Sequence, residues 1–304
     1  MKKWIMLTAA TLLAVTLLTA CGTGKTAETA EAPAEKVKVA VTFDAMREFV
    51  QAVGKDKVEI VNMIPDGTEP HEFEPTTKTL KELGSARLLV YNGLGMEPWV
   101  EKALQTVGNK NLTAIEASQG ITPITLTDEN EIKEHGHYDP HCWLSLENAQ
   151  IEVNNIADAL AQTDPGNAEF YKKNAQDYTN QLQQLEDEYA GKFQKLSNKQ
   201  FVTGHAAFAY LCRDLGLQQN SVESVFADGE PSTQQMARLT DYCRHHGVKT
   251  IFVEDMVSPK TSQTLANEVG ATVKKIHTIE TSEDGASYID RMKENLNEIY
   301  NSMQ

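Results

Sequence analysis

The chain has 304 residues, 40% of them hydrophobic, with a formal charge of -15 and four cysteines. That is enough to bury one large core or two modest ones, and two domains are the better prior. An acidic surface without a basic run excludes nucleic acid as a natural partner and favours cations over anions.

The N-terminus reads as an export signal. Lys2 and Lys3 precede an uncharged apolar run from Trp4 to Leu18, too short to prefer spanning a bilayer. Leu18-Thr19-Ala20-Cys21-Gly22 follows and resembles the lipobox of bacterial lipoproteins, in which the cysteine is lipidated. A plain secretory signal with an incidental cysteine is the alternative. Residues 1–20 are thus expected to be removed, taking Lys2 and Lys3 with them and leaving a charge of -17. Residues 21–36 hold no aliphatic side chain larger than alanine and read as a flexible tether on Cys21.

From residue 37 the pattern alternates. Strands are predicted at Val37–Val41, Val58–Ile64, Leu88–Tyr91 and Leu112–Ile115, with helices at Phe43–Val53, Thr76–Leu83, Trp99–Val107 and Leu146–Ala161. Strand–helix alternation implies an α/β fold with a mainly parallel sheet flanked by helices, here over residues 37–163. Asp164-Pro165 then opens a long amphipathic helix, with Tyr171, Ala175, Tyr178, Leu182, Leu185, Tyr189, Phe193 and Leu196 on one face. Residues 164–197 fit either a helix linking two lobes or an ordinary surface helix.

Residues 198–304 repeat the alternation. Strands are predicted at Gln200–Thr203, Ser221–Phe226, Thr250–Val253 and Thr272–Ile276, and helices at Phe208–Leu215, from Ser232 to His246, Lys260–Val269 and Ser287–Tyr300. Ser232 and Gln235 form a capping box. Asp66-Gly67-Thr68-Glu69-Pro70 faintly echoes Asp228-Gly229-Glu230-Pro231, a weak hint of two related lobes.

Four histidines, His71, His141, His205 and His277, sit where a predicted strand gives way to a loop. One such histidine is more often structural than a ligand. Four at equivalent strand ends point to a metal, because ligands in open α/β sheets collect outside the strand carboxyl ends. Pro70 and Pro140 fix the backbone before two of them.

The segments Pro70-His71-Glu72-Phe73-Glu74-Pro75, Asp139-Pro140-His141-Cys142-Trp143-Leu144, Phe201-Val202-Thr203-Gly204-His205-Ala206-Ala207-Phe208 and Glu230-Pro231-Ser232 resemble those of the zinc and manganese solute-binding lipoproteins of ABC importers, of the cluster A-I type. The resemblance spans the mature chain. It implies two α/β lobes joined by the long helix, a metal in the cleft between them, and an ABC permease membrane subunit as partner of a monomeric, lipid-anchored, extracytoplasmic receptor. His71, His141 and His205 match family ligands. The fourth ligand in relatives is often an acid after the last strand, where His277 falls, with Glu280 as the rival and Glu254 as a more distant, supporting candidate. A site of three or four imidazoles favours zinc, with manganese second. Neutral imidazoles are needed for capture, so affinity is expected to fall below a pH of roughly 6.5.

Zinc-specific relatives often carry a histidine-rich acidic loop, and residues 127–139 look like a short one. His135 and His137 are either transient ligands or incidental. His245 and His246 close a helix and read as non-ligands. Cys212 and Cys243 fit a disulfide or two buried thiols, while Cys142 is expected to point away from the metal. Two rival classes remain. A zinc hydrolase would use three histidines, a water and Glu72 or Glu254 as base, but the chain has no H-E-x-x-H helix, and four protein ligands would close the shell. An adhesin sharing the scaffold would need a further module that the sequence lacks.

Overall fold

The computed structural model describes residues 35–227, 231–254, 258–282 and 285–304. The expected signal, Cys21, the tether up to residue 34 and the Asp228-Gly229-Glu230 echo lie outside them. No helix among the described residues is long and apolar enough to cross a membrane.

Among the described residues, eight strands form two parallel four-stranded sheets. In the first, β1 (Val37–Val41), β2 (Val58–Asn62), β3 (Leu88–Tyr91) and β4 (Thr113–Glu116) stand in the order β2-β1-β3-β4. In the second, β5 (Gln200–Thr203), β6 (Gln218–Ser221), β7 (Thr250–Val253) and β8 (Thr272–Lys275) repeat it as β6-β5-β7-β8. The α-helices of the described residues run between and over them: α1 (Asp44–Gly54), α2 (Thr77–Ser85), α3 (Val100–Val107), α4 (Glu129–His135), α5 (Leu146–Thr163), α6 (Ala168–Phe193), α7 (Ala209–Leu215), α8 (Thr233–His246), α9 (Pro259–Val269) and α10 (Tyr288–Ser302). The α/β expectation holds, including parallel pairing.

The long helix is α6. Asp164 does not cap it directly. Pro165–Asn167 form a 3₁₀ turn first, with Asp164 Oδ2 accepting from Asn167 Nδ2 at 2.7 Å and Tyr171 Oη at 2.8 Å. The α-helical part has 26 residues and so runs about 39 Å. Its buried stripe includes Tyr171, Ala175, Leu182, Leu185, Tyr189 and Phe193, the expected face. Burying each large apolar side chain contributes about 1.5–3 kcal/mol. Asn174 Nδ2 donates to Val53 O of α1 at 2.9 Å, and Phe193 meets Tyr300 of α10 edge-on with ring centroids 5.8 Å apart. The helix therefore serves both halves rather than the surface of one.

Two elements differ from expectation. The strand predicted at Ser221–Phe226 is instead β6 at Gln218–Ser221, paired with β5 through Gln200↔Gln218 to Thr203↔Ser221. The apolar alternation after it, Val222 and Phe226, marks side chains that pack in turns rather than on a ladder. The acidic loop is not structureless either. Asp128 accepts the backbone N–H groups of Asn130 and Glu131 at 2.8 and 3.2 Å and so starts α4. Cys212 and Cys243 are free thiols, which resolves that pair.

Candidate metal centre

The loops leaving the carboxyl ends of β2, β4, β5 and β8 meet. His71, His141, His205 and Glu280 each offer one donor atom, all within 4.8 Å of one another, and the four side chains are buried. His141 Nε2 lies 3.3 Å from His205 Nε2 and 3.4 Å from Glu280 Oε1, and His71 Nε2 lies 3.7 Å from the same Glu280 oxygen. A tetrahedral zinc with bonds of about 2.0–2.2 Å needs donors roughly 3.3–3.6 Å apart. Buried His71 Nε2 and Glu280 Oε1 have no hydrogen-bond partner. Such orphans cost free energy unless something else fills the gap, and a cation between them would satisfy both.

Each ligand candidate is held by its own surroundings. Asp139 Oδ1 accepts from the His141 backbone N–H at 2.9 Å and sits 2.9 Å from His141 Nδ1, which fixes the ring with Nε2 toward the cluster. Asp139 was not singled out as a site residue in the sequence. Its signal was the Asp-Pro-His spacing, in which proline directs an acid back over the histidine. Trp143 packs beside His141, ring centroids 5.2 Å apart. His205 is anchored through its backbone: Thr203 Oγ1 and Gln219 Nε2 donate to its carbonyl at 2.6 and 2.9 Å, and its N–H donates to Glu254 Oε1 at 3.2 Å. Glu254 thus supports His205, and burial pushes its carboxyl up to about 8. The His71 N–H donates to Glu69 Oε1 at 3.2 Å.

The electrostatics divide the imidazoles. Burial, then repulsion from His141, drives His71 down to about 3 despite the attraction of Glu280. Burial likewise takes His205 to about 4. Burial would lower His141 as well, but its hydrogen bond with Asp139 and the Glu280 carboxylate 3.4 Å away prevail and raise it to about 9. Burial disfavours the Glu280 carboxylate, yet the close approach of His141 and the neighbouring imidazoles hold its pKa below the usual range. His141 is thus set apart from the other two imidazoles, its pKa raised where those of His71 and His205 are lowered.

His277 is not brought into this group. Its N–H donates to Asn295 Oδ1 at 2.8 Å, its carbonyl accepts from Asn295 Nδ2 at 2.7 Å, and its Nε2 lies 3.4 Å from Glu294 Oε2 of α10. The chain then turns through Ile279, whose φ of +60° is a left-handed conformation that costs a β-branched residue about 1–3 kcal/mol. Glu280, not His277, reaches the cluster as a result. The fourth position expected for His277 belongs geometrically to its rival.

The remaining candidates stand outside the four. His135, the last residue of α4, stacks on Phe226 with centroids 4.0 Å apart, and Phe226 meets His71 edge-on at 5.3 Å. It is one ring removed from the cluster. His137 lies beside Tyr138, centroids 6.4 Å apart, and its carbonyl accepts from the Leu126 N–H at 2.9 Å. His245 and His246 end α8, where His246 packs on Tyr242. Cys142 turns away, its Sγ 3.3 Å from Asn92 Oδ1 and from Glu152 Oε1, and burial raises its thiol pKa well above the ordinary value.

Comparison with known proteins agrees with this architecture. The family described as zinc-uptake complex component A, periplasmic, matches residues 39–302. A putative metal-binding protein of Treponema pallidum (strain Nichols) is 43% identical over 274 residues, 88% of this chain and 87% of its own. The high-affinity zinc uptake system protein ZnuA of Bacillus subtilis (strain 168) is 37% identical over 317 residues, covering 99% of this chain and 98% of its own. Among solved structures, a mutant of the laminin-binding adhesin Lmb from Streptococcus agalactiae superposes with a TM-score of 0.82 at 31% identity, over 88% of this chain and 100% of the other. A crystal structure of ZnuA gives 0.79 at 29% identity, over 89% and 100%. The family model spans nearly all of the described residues, and the chain belongs to the ZnuA family of zinc-uptake components.

Proposed function

We propose that this protein is the zinc-capturing receptor of an ABC importer, with His71, His141, His205 and Glu280 as the ligands of the transported ion. The observation that carries the reading is the buried three-imidazole, one-carboxylate group, in which His71 Nε2 and Glu280 Oε1 have no hydrogen-bond partner. Three nitrogens and one oxygen suit zinc better than manganese, which prefers more oxygens and a larger shell. Four protein donors leave no position for an activated water, which suits carriage and not hydrolysis. Glu280 thereby argues against a zinc hydrolase as well as His277 would have done.

In this reading residues 37–163 and 198–304 are the two lobes, 164–197 the link, and the ion sits between the lobes. Cleavage before Cys21 and lipidation of that residue would anchor a monomeric receptor outside the cytoplasm, where it delivers zinc to the permease membrane subunit. The motif at Leu18-Thr19-Ala20-Cys21 supports the anchor. Glu254 and Asp139 act by holding His205 and His141. His135 and His137 serve near the approach to the site rather than as ligands.

The test is metal titration of the purified protein against a competing chelator, with zinc and manganese in separate arms and Glu280→Ala beside the unaltered chain. One zinc per chain, tighter than manganese and weakened in Glu280→Ala, is the expected result. Equal affinity for both metals, or indifference to Glu280→Ala, overturns the assignment.

A further inference from the structure

Glu280 belongs by sequence to the second half of the chain, but the backbone that carries it is bonded to the first. Four consecutive carbonyls, from Thr278 to Thr281, are each taken by a donor. Trp143 Nε1 donates to Thr278 O at 2.7 Å, the Ala45 N–H to Ile279 O at 3.0 Å, the Asp44 N–H to Glu280 O at 3.3 Å, and Arg291 Nη1 to Thr281 O at 3.2 Å. Asp44 and Ala45 are the first two residues of α1. Phe43, which precedes them, offers no side-chain cap, so the helix amides that would otherwise be unsatisfied are filled by the loop bearing Glu280.

One buried ion pair ties this arrangement together. Arg291 Nη2 reaches Asp44 Oδ2 at 2.6 Å, with side chains 1% and 0% exposed. Asp44 Oδ1 also meets Arg47 at 2.6 Å, so the carboxylate is occupied on both sides. Inside this frame Ile279 is fully buried and holds φ at +60°. A β-branched residue stays in that conformation only when its surroundings over-determine it. Thr278 Oγ1 then donates to Glu280 Oε2 at 2.7 Å, leaving Oε1 directed at the imidazoles.

We propose that Asp44, with Arg291 and the first amides of α1, is the positioning element for the Glu280 ligand, acting through the strained turn at Ile279. This rests on Glu280 being a zinc ligand. A bare packing role for the Asp44–Arg291 pair would affect the protein as a whole. A positioning role affects zinc only through Glu280.

A double-mutant cycle on the full chain separates these cases: Asp44→Asn, Glu280→Gln and both together, each titrated with zinc against a chelator and with cobalt(II) read by its visible absorption. Asp44→Asn is expected to weaken zinc about 10- to 100-fold in the unaltered background, the range of other groups that orient a ligand. With Glu280→Gln already present it should change little. Its cobalt spectrum should move toward that of Glu280→Gln. Equal weakening in both backgrounds, or none in the unaltered chain, overturns the proposal. If Asp44→Asn does not fold, Ile279→Gly replaces it. Glycine accepts the same φ without penalty but leaves the turn free to wander, so zinc should again weaken only while Glu280 is present. A chain that binds no zinc, or Glu280→Gln binding as well as the unaltered chain, would instead refute the reading of the site.

Discussion

The two sheets repeat one strand order with very different support. In the first, Val39, Ala40, Val41, Leu88, Leu89 and Val90 are fully buried, and α1, α5 and α6 close one continuous core around them. In the second, the central β5 and β7 are buried as well, but the edge strands read Gln-Gln-Asn-Ser in β6 and Thr-Val-Lys-Lys in β8, more polar than the Val-Glu-Ile-Val-Asn and Thr-Ala-Ile-Glu edges of the first. A separate small cluster of Val202, Val222, Leu239, Cys243, Ile251, Leu265 and Ala266 serves α8 and α9. The inner side of the second half, including Phe201, Phe208, Phe252, Ile276 and Ile279, joins the large core. The second half therefore contributes His205 and Glu280 to the buried donor group while sharing much of its packing with the first.

The largest effects should follow that asymmetry. Phe49, fully buried and edge-on to Tyr288 at 4.7 Å, belongs to the large core. Phe49→Ala is expected to cost about 3–5 kcal/mol in urea unfolding. Leu239, 6% exposed in the small cluster, should cost about 2 kcal/mol as Leu239→Ala. Equal losses, or the reverse order, would remove the claim that the first half is the stable one.

Next in size is removal of the most tightly oriented ligand. His141→Ala takes away an imidazole fixed by Asp139 and leaves Glu280 Oε1 without its neighbour at 3.4 Å. Zinc affinity should fall by at least about 100-fold, or ~2.8 kcal/mol. His205→Ala, from the second half, is expected to match it within about tenfold if both rings bind the ion as proposed. A negligible loss for His205 alone would make the site a property of the first half.

The site was unevenly legible, and the reason is geometric. His71, His141 and His205 were singled out because local residues announce them: a proline before two of them and a Gly-His-Ala turn after β5. Glu280 and His277 are three residues apart in one loop, and periodicity cannot choose between them. The choice is made by Asn295 of α10, which grips both backbone groups of His277, and by the left-handed turn at Ile279. Neither is a local signal. The same holds for β6, where a polar edge strand beside β5 was hidden by the more apolar turn after it. The parallel α/β architecture was readable because strand–helix alternation is itself local.

A pH titration gives a smaller but directional effect. His141 is raised to about 9 by Asp139 and Glu280, so at neutral pH the metal-free site carries a proton on the Nε2 side that zinc must displace. Below about 9, apparent affinity should drop about tenfold, ~1.4 kcal/mol, per pH unit, and more steeply once His205 and His71 titrate near 4 and 3. The fall thus starts well above the pH of roughly 6.5 expected for ordinary imidazoles. Calorimetry at pH 7.5 in buffers of different ionisation enthalpy should report about one proton released per zinc. No release would mean that His141 is neutral and that Glu280 is held by something other than its charge.

The smallest effect is the most discriminating. His277 keeps its two backbone bonds to Asn295 whatever its side chain, and its Nε2 lies 3.4 Å from Glu294, whose side chain is 61% exposed. His277→Ala should therefore leave zinc affinity within about twofold and cost no more than about 1 kcal/mol of stability. Asn295→Ala is different in kind. It deletes both hydrogen bonds that Asn295 makes to the loop and should cost about 1–3 kcal/mol. Because that loop leads into Ile279 and Glu280, Asn295→Ala should also weaken zinc more than His277→Ala does. A tenfold loss in His277→Ala would mean that the loop reverses its turn around the ion, and that the second half supplies two imidazoles in place of one imidazole and a carboxylate.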